Sequence, residues 1–180
     1  MNQEVEELKI MFEIRCQQRE LAWRVDADLS AGNVSGDENK LRQVLINLLG
    51  NAVKFSERGS VELRVEQRGE GRFYFAVSDT GVGIAPELRQ VIFQPFQQGE
   101  GGGIGAWVGT GLGLTISQHF VAMMGGQLEL ESELGQGTRF FFFLTAAADN
   151  RRGGRRISEC ALYTGATVGP GTPGASPGRR

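Results

Sequence analysis

Residues 37–55, DENKLRQVLINLLGNAVKF, decide the fold that the rest of the chain completes. At about 100° per residue, the apolar side chains fill one broad arc of a helix, and Asn47, Asn51 and Lys54 share a narrow neighbouring arc. A helix that is apolar on most sides is normally buried, so these three polar side chains are expected to face an internal cleft. Asp37 occupies the N-cap position, where its carboxylate can accept from the first turn.

Composition and charge restrict the class of protein. The chain has 180 residues and a net charge of −2, with 13 basic and 19 acidic side chains in residues 1–144. An acidic folded part without a stripe of lysine and arginine argues against nucleic acid as a partner. The chain has two cysteines, no 18-residue apolar run and no signal-peptide pattern. We therefore expect a cytoplasmic location and no membrane contact by this segment, while a membrane anchor elsewhere in a longer parent stays open.

Short runs of alternating polar and apolar residues predict β-hairpins around the central helix. The paired runs are residues 12–16 with 21–25, 61–67 with 73–78, and 128–132 with 140–144. The unbroken run Phe140–Phe143 is expected to be covered on both faces. Pro86 suits the first position of a short helix that ends near Val91, and a further helix is expected after Gly113, ending at Gly125.

Glycine-rich or amide-bearing loops next to helix and strand ends indicate a nucleotide site. Asp79 follows an apolar strand and precedes Gly81 and Gly83, so its carboxylate can face a pocket where the glycines let a flat base approach the backbone. The sequence GTGLGL at residues 109–114 opens a helix, whose free N–H groups attract phosphate. Neither the GxxxxGK[ST] nor the GxGxxG phosphate motif is present in the required context. Taken alone, each feature also has an ordinary interpretation as a turn, a flexible loop or a solvent-exposed face of a helix.

Together, four segments resemble the catalytic, ATP-binding domain of sensor histidine kinases, within the wider family of gyrase and heat-shock ATPases with the Bergerat fold. NLLGNAVKF resembles the N box, DTGVGI the first glycine box, FQPF the F box and GTGLGL the second glycine box, in the family's order. The resemblance covers about residues 10–144. It implies an α+β fold, a two-layer sandwich in which a mixed, mostly antiparallel sheet of about five strands packs against about three helices.

The resemblance also implies roles for individual residues toward two cofactors, ATP and Mg²⁺. Asn51 is the expected Mg²⁺ ligand, and Asn47 and Lys54 are the expected catalytic residues beside the metal and phosphates. Asp79 is the expected acceptor for the adenine amine, and Thr138 joins it through a water. The implied nucleotide-binding set is Asn47, Asn51, Lys54, Phe55, Asp79, Gly81, Gly83, Ile84, Phe96, Gly109, Thr110, Gly111, Leu112, Gly113, Leu114 and Thr138.

Asn47 favours phosphoryl transfer over hydrolysis. Hydrolytic members of the family have a glutamate there as general base, whereas an amide cannot accept a proton at neutral pH. The resemblance implies transfer to a histidine on a dimerisation domain, upstream in a parent protein or in another chain, and a response-regulator receiver domain as a further partner. His119, the single histidine of this chain, has no acidic neighbour in sequence and is interpreted as structural.

Residues 97–108 are the expected lid over ATP. They carry no arginine or lysine and include Glu100, which is a departure from the family pattern, while Trp107 is interpreted as a packing residue. The lid leaves one alternative, a nucleotide-binding interaction module with a catalytically weak lid. Two others share the fold: an anti-sigma-type serine kinase and a hydrolase. We divide the chain into residues 1–10, the end of an upstream linker or helix, residues 11–145, the catalytic domain, and residues 146–180, a disordered tail or linker.

Overall fold

The computed structural model describes residues 2–27, 37–69, 71–95 and 111–145. The chain forms helix α1 (Asn2–Gln18), strand β1 (Ala22–Ala27), helix α2 (Glu38–Phe55), strands β2 (Ser60–Gln67) and β3 (Arg72–Asp79), helix α3 (Gly113–Met123), and strands β4 (Glu129–Glu133) and β5 (Gly137–Thr145). Two short 3-10 helices, Pro86–Leu88 and Val91–Phe93, lie between β3 and α3. Among the helices of these ranges, none has the length and apolar content needed to cross a bilayer.

The five strands form one mixed sheet in the order β1-β2-β3-β5-β4. Strand β1 pairs with β2 in parallel, and the other three pairs are antiparallel. Alternate residues of the central strands, such as Leu63, Phe75 and Phe142, are fully buried on one face of the sheet. The helices pack against the strands and one another in a single core, so the predicted two-layer α+β sandwich is confirmed.

Helix α2 forms as its sequence predicts. Asp37 is the N-cap, and its carboxylate accepts from the Lys40 backbone N–H at 3.2 Å and from the Lys40 ammonium. The apolar arc of the helix is buried, and its members are Leu41, Val44, Leu45, Leu48, Leu49, Ala52 and Val53. This burial fixes the polar arc relative to the sheet, because the two arcs are neighbours on one helix.

The prediction of a hairpin over residues 12–25 is wrong. Residues 2–18 form α1, in which Val5, Leu8, Phe12 and Cys16 are buried at helical spacing. The alternation that suggested a strand depends on Ile14, which is 53% exposed. Strand β1 instead pairs in parallel with β2, with Ala22 opposite Ser60. Helix α1 continues through residue 10 without a break. The division into residues 1–10, 11–145 and 146–180 stays a prediction.

Two smaller expectations need correction. The helix expected from Pro86 to Val91 is replaced by the two 3-10 helices. The run Phe140–Phe143 alternates between faces: Phe140 and Phe142 are in the core, whereas Phe141 and Phe143 are half-buried beside Tyr74, at ring distances of 6.0 and 5.1 Å. An antiparallel sheet commonly leaves one face toward solvent, and here the outer face is only partly covered by aromatic rings. The hairpins β2–β3 and β4–β5 are confirmed.

Candidate nucleotide-binding site

A cavity lies where the C-terminal part of α2, the loop after β3 and the start of α3 meet. It encloses about 370 Å³, a volume that includes its open mouth. Its lining consists of Asn51, Phe55, Asp79, Val82, Gly83, Ile84, Leu114, Thr138 and Phe140. Seven of these nine belong to the residue set that the sequence predicts for nucleotide binding.

Asp79 is the charged residue of the cavity lining. It ends β3, and its Oδ1 accepts from the Gly81 backbone N–H at 2.8 Å. Burial raises the pKa of Asp79 from 3.8 to about 6, and backbone hydrogen bonds from Gly81 and Thr138 oppose that rise. Above pH 6 the group is therefore a half-buried carboxylate, which favours a hydrogen-bond donor as its ligand.

The loop after Asp79 is held on both sides by backbone contacts. The Val82 N–H donates to the Phe55 carbonyl at 3.3 Å, and the Val82 carbonyl accepts from the Gly135 N–H at 2.8 Å. Gly83 has φ +70°, and a Cβ at this position would overlap the Glu133 carbonyl oxygen. The end of α2 and the β4–β5 turn thus fix a loop that has no room for a side chain at position 83.

The polar stripe of α2 divides between two environments. Asn51 lines the cavity. Asn47, one turn earlier, donates from Nδ2 to the Ser117 Oγ of α3 at 2.8 Å, and a Cβ at Gly113 would overlap its Oδ1. The Lys54 ammonium lies 4.8 Å from the centre of the Phe55 ring. Asn47 and Lys54 are absent from the cavity lining, although both are on the stripe that the sequence predicts.

The second glycine segment is described from residue 111 onward. Gly111 has φ +66°, Leu112 is the N-cap of α3, and Leu114 contributes to the cavity lining. Among the described residues, no side chain caps the N-terminus of α3. The first N–H groups of α3 have no intrahelical partner, as at any helix N-terminus. Of the predicted site residues, Phe96, Gly109 and Thr110 lie outside the described ranges, as do the expected lid and Trp107.

The residues present fit Mg²⁺ only as part of a nucleotide complex. Within the described ranges there is no cluster of three acidic, histidine or cysteine groups that could hold a metal ion. Asn51 offers a neutral amide oxygen at the cavity, so a bound Mg²⁺ would need phosphate oxygens for charge balance. His119 is exposed on α3.

Sequence reasoning missed two lining residues and two supporting serines. Val82 lies inside the DTGVGI segment, so that segment could have indicated it. Phe140 follows Thr138 by two positions on the same face of β5, so the strand period could have indicated it. Ser117 contacts Asn47, and Ser132 contacts Ile84 and Thr138. No local sequence signal marks these serines, because their partners are distant in the chain or lie across a turn.

Comparison with known proteins places this chain in a family. Residues 36–148 match the model described as histidine kinase-, DNA gyrase B-, and HSP90-like ATPase. The sensor histidine kinase AruS of Pseudomonas aeruginosa is 47% identical over 116 residues, which are 62% of this chain and 12% of that protein. The circadian input-output histidine kinase CikA of Synechococcus elongatus is 48% identical over 105 residues, which are 58% of this chain and 14% of that protein. This chain thus spans a small part of the length of either relative.

Solved structures give the same assignment. Full-length ShkA in complex with AMPPNP matches 81% of this chain and 30% of its own, with a TM-score of 0.66 and 39% identity. The catalytic domain of the histidine kinase ThkA matches 81% of this chain and 92% of its own, with a TM-score of 0.69 and 27% identity. The chain belongs to the family of histidine kinase-, DNA gyrase B- and HSP90-like ATPases, as a catalytic domain of the protein histidine kinase type.

Proposed function

We propose that this chain binds Mg-ATP in the cavity between α2, the loop after β3 and the start of α3, and transfers the γ-phosphoryl group to a histidine of a dimerisation domain. The observation that carries the proposal is the presence of the Asp79 carboxylate and the Asn51 amide in the lining of one cavity. The two groups suit opposite ends of ATP, since one accepts from a base and the other can bind a hydrated metal. The relative ShkA was solved with AMPPNP, which supports the same ligand here.

The adenine end of the proposed site is the loop after β3. Asp79 would accept from the exocyclic amine, with Thr138 beside it on β5, and Phe55 and Ile84 would contact the faces of the base. The base would approach the backbone at Gly83, where the conformation and the contact with β4 leave no room for a side chain. A site built from a buried acceptor discriminates strongly against a base that lacks the donor, because the acceptor is then left without a partner.

The phosphate end of the proposed site is the start of α3. Within the described ranges no side chain caps this end of the helix, which would supply N–H donors and the positive end of a helix dipole. Gly111, Leu112 and Gly113 belong to this segment, and Phe96, Gly109 and Thr110 stay in the proposed set from the sequence. Mg²⁺, when bound with the nucleotide, would neutralise phosphate charge, and Asn51 would hold it in place.

Asn47 and Lys54 keep proposed catalytic roles. Lys54 would contact phosphate as a point charge. Asn47 has its amide N–H committed to Ser117, which ties α2 to α3 near the glycine segment. Because Asn47 is an amide, it supplies no general base for water, and we infer transfer over hydrolysis. The catalysis expected from this domain is the positioning of ATP and the stabilisation of charge.

The partners proposed for the parent protein are a histidine-bearing dimerisation domain, upstream or in another chain, and a response-regulator receiver domain, in the cytoplasm. Relatives of this chain are named as sensor or hybrid histidine kinases, which is consistent with such partners. Nucleic acid is not among them, because the folded part is acidic.

The test is a transfer assay with γ-labelled ATP, Mg²⁺, this chain and the dimerisation domain of a close relative. We expect acid-labile label on the added domain, and none when its histidine is replaced by glutamine or when this chain carries Asn51→Ala. Acid-stable label on a protein partner would instead support a serine kinase, and phosphate release without a partner would support a hydrolase. Binding of Mg-ATP without label on any partner would support the interaction module, for which the lid without cations is the motivating observation.

A further inference from the structure

Three polar side chains form a row across the sheet at the cavity. Asp79 of β3 is paired with Thr138 of β5, and Thr138 is paired with Ser132 of β4. Paired residues of neighbouring strands point to the same face, so all three side chains are on the face that packs against the helices. Asp79 and Thr138 line the cavity. Ser132 lies on the side of Thr138 away from Asp79 and is not part of the lining.

The hydroxyl of Ser132 has three partners at hydrogen-bond distance. The Ile84 backbone N–H donates to Ser132 Oγ at 2.8 Å, the Gly137 carbonyl oxygen is 2.8 Å from Oγ, and Thr138 Oγ1 is 2.9 Å from it. A serine hydroxyl has one proton and two acceptor lone pairs, so these three contacts use its full capacity.

The chemistry of the partners fixes the direction of each hydrogen bond. The Gly137 carbonyl can only accept, so the Ser132 proton belongs to that contact. The Ile84 N–H can only donate, and it uses one Ser132 lone pair. The contact with Thr138 must then be a donation from the Thr138 hydroxyl into the remaining lone pair of Ser132. Thr138 consequently keeps its own proton directed toward β4 and presents lone pairs toward the cavity.

We propose that Ser132 is a specificity-determining positioning residue, which orients the Thr138 hydroxyl so that the cavity presents only acceptors to the six-position of a purine. This inference rests on the proposed binding of ATP. A 6-amino purine donates at that position and finds acceptors in Asp79 and Thr138. A 6-oxo purine places an oxygen there, and lone pairs on both sides repel each other.

The discriminating pair of ligands is Mg-ATP and Mg-ITP, which differ at the six-position and the adjacent ring nitrogen of the base. Without the Ser132 acceptor, the Thr138 hydroxyl is free to rotate and to donate to a 6-oxo group. Ser132→Ala is therefore expected to weaken ATP binding several-fold while ITP binding is kept or improved. A role confined to holding the Ile84 loop would instead weaken both nucleotides by the same factor.

The experiment measures both dissociation constants by calorimetry on the full chain. In the unaltered protein we expect ATP to bind about tenfold or more tighter than ITP, and in Ser132→Ala this ratio should fall at least threefold. Ser132→Thr retains the hydroxyl and should restore the ratio. Ser78→Ala is the matched control, because the Ser78 hydroxyl accepts from Arg139 on the outer face of the same sheet, and it should leave the ratio unchanged.

Thr138→Val separates orientation from scaffolding, because it removes the hydroxyl that Ser132 is proposed to direct. The ratio should fall in Thr138→Val, and adding Ser132→Ala to that background should change it no further. An unchanged ratio in Ser132→Ala, or an unchanged ratio in Thr138→Val if the alanine variant does not fold, overturns the inference. Equal binding of ATP and ITP by the unaltered chain also overturns it. Failure of the unaltered chain to bind either nucleotide is a different result, since it removes the proposed function itself.

Discussion

Replacing Asp79 by asparagine should stabilise the empty domain at neutral pH and weaken ATP binding. Burial raises the pKa of Asp79 from 3.8 to about 6, so the ionised carboxylate is less favourable in the folded protein than in the unfolded chain. A difference of about two in pKa corresponds to about 3 kcal/mol of free energy. Below pH 3.8 the group is protonated in both states and costs nothing. As the pH rises through 3.8 to 6 the folded state loses stability, and above pH 6 the loss stays constant.

The amide variant has no ionisable group at this position and lacks that pH dependence. It loses one acceptor, which leaves either the Gly81 or the Thr138 N–H without its partner at a cost of about 1 kcal/mol at every pH. The change in unfolding free energy on mutation should therefore rise by about 2 kcal/mol between pH 4.5 and 7.5. At pH 7.5 the variant should be more stable than the unaltered protein by about 2 kcal/mol. Removing the charge gains about 3 kcal/mol, and the lost hydrogen bond costs about 1 kcal/mol of it.

Urea denaturation at several pH values measures the stability difference directly. The control is Ser78→Ala on the outer face of β3, because it removes no ionisable group and its stability difference should not change with pH. Calorimetry at pH 7.5 should show ATP affinity reduced about tenfold or more in Asp79→Asn, or about 1.4 kcal/mol. A stability difference that does not change with pH would refute the account of the buried carboxylate. Unchanged ATP binding would remove Asp79 from the site.

Three further predictions concern the supports of the site. Gly83→Ala forces a side chain against a carbonyl oxygen of β4, so the folded variant should lose detectable ATP binding in calorimetry; retained binding would show that the loop can move. Ser117→Ala leaves the Asn47 amide without its partner and should cost about 1–3 kcal/mol in urea unfolding, an effect that should vanish in an Asn47→Ala background. Leu8→Ala, at a fully buried position of α1, should lower the free energy of unfolding in urea by about 2–5 kcal/mol. Ile14→Ala, at an exposed position of the same helix, should change it by less than about 0.5 kcal/mol. Equal effects would contradict the packing of α1.

The parts of the fold with a strong local pattern were predictable from the sequence. Helix α2 combines an N-cap with a broad apolar arc, and the two antiparallel hairpins combine alternating residues with glycine turns. Asn51 and Asp79 were predicted from a polar stripe and a strand end, and both line the cavity. These features are encoded over a few residues, so tertiary contacts reinforce them without changing them.

The N-terminal segment was not predictable in the same way, because two periods compete in it. Phe12, Ile14 and Cys16 alternate as in a strand, while Val5, Leu8, Phe12 and Cys16 repeat as in a helix, and burial against the core selects the second pattern. The parallel pairing of β1 with β2 depends on α2 as the connection, which no short window reveals. The contacts of Ser132 and Ser117 depend likewise on chain segments brought together by folding.

The central claim is that the cavity lined by Asn51 and Asp79 binds Mg-ATP. Calorimetric titration of the full chain with Mg-ATP tests it most directly, with the same titration in excess chelator as the control. The account predicts a dissociation constant on the order of 10–1000 μM, with weaker binding when Mg²⁺ is removed. Absence of heat, together with absence of stabilisation by millimolar Mg-ATP, would contradict it.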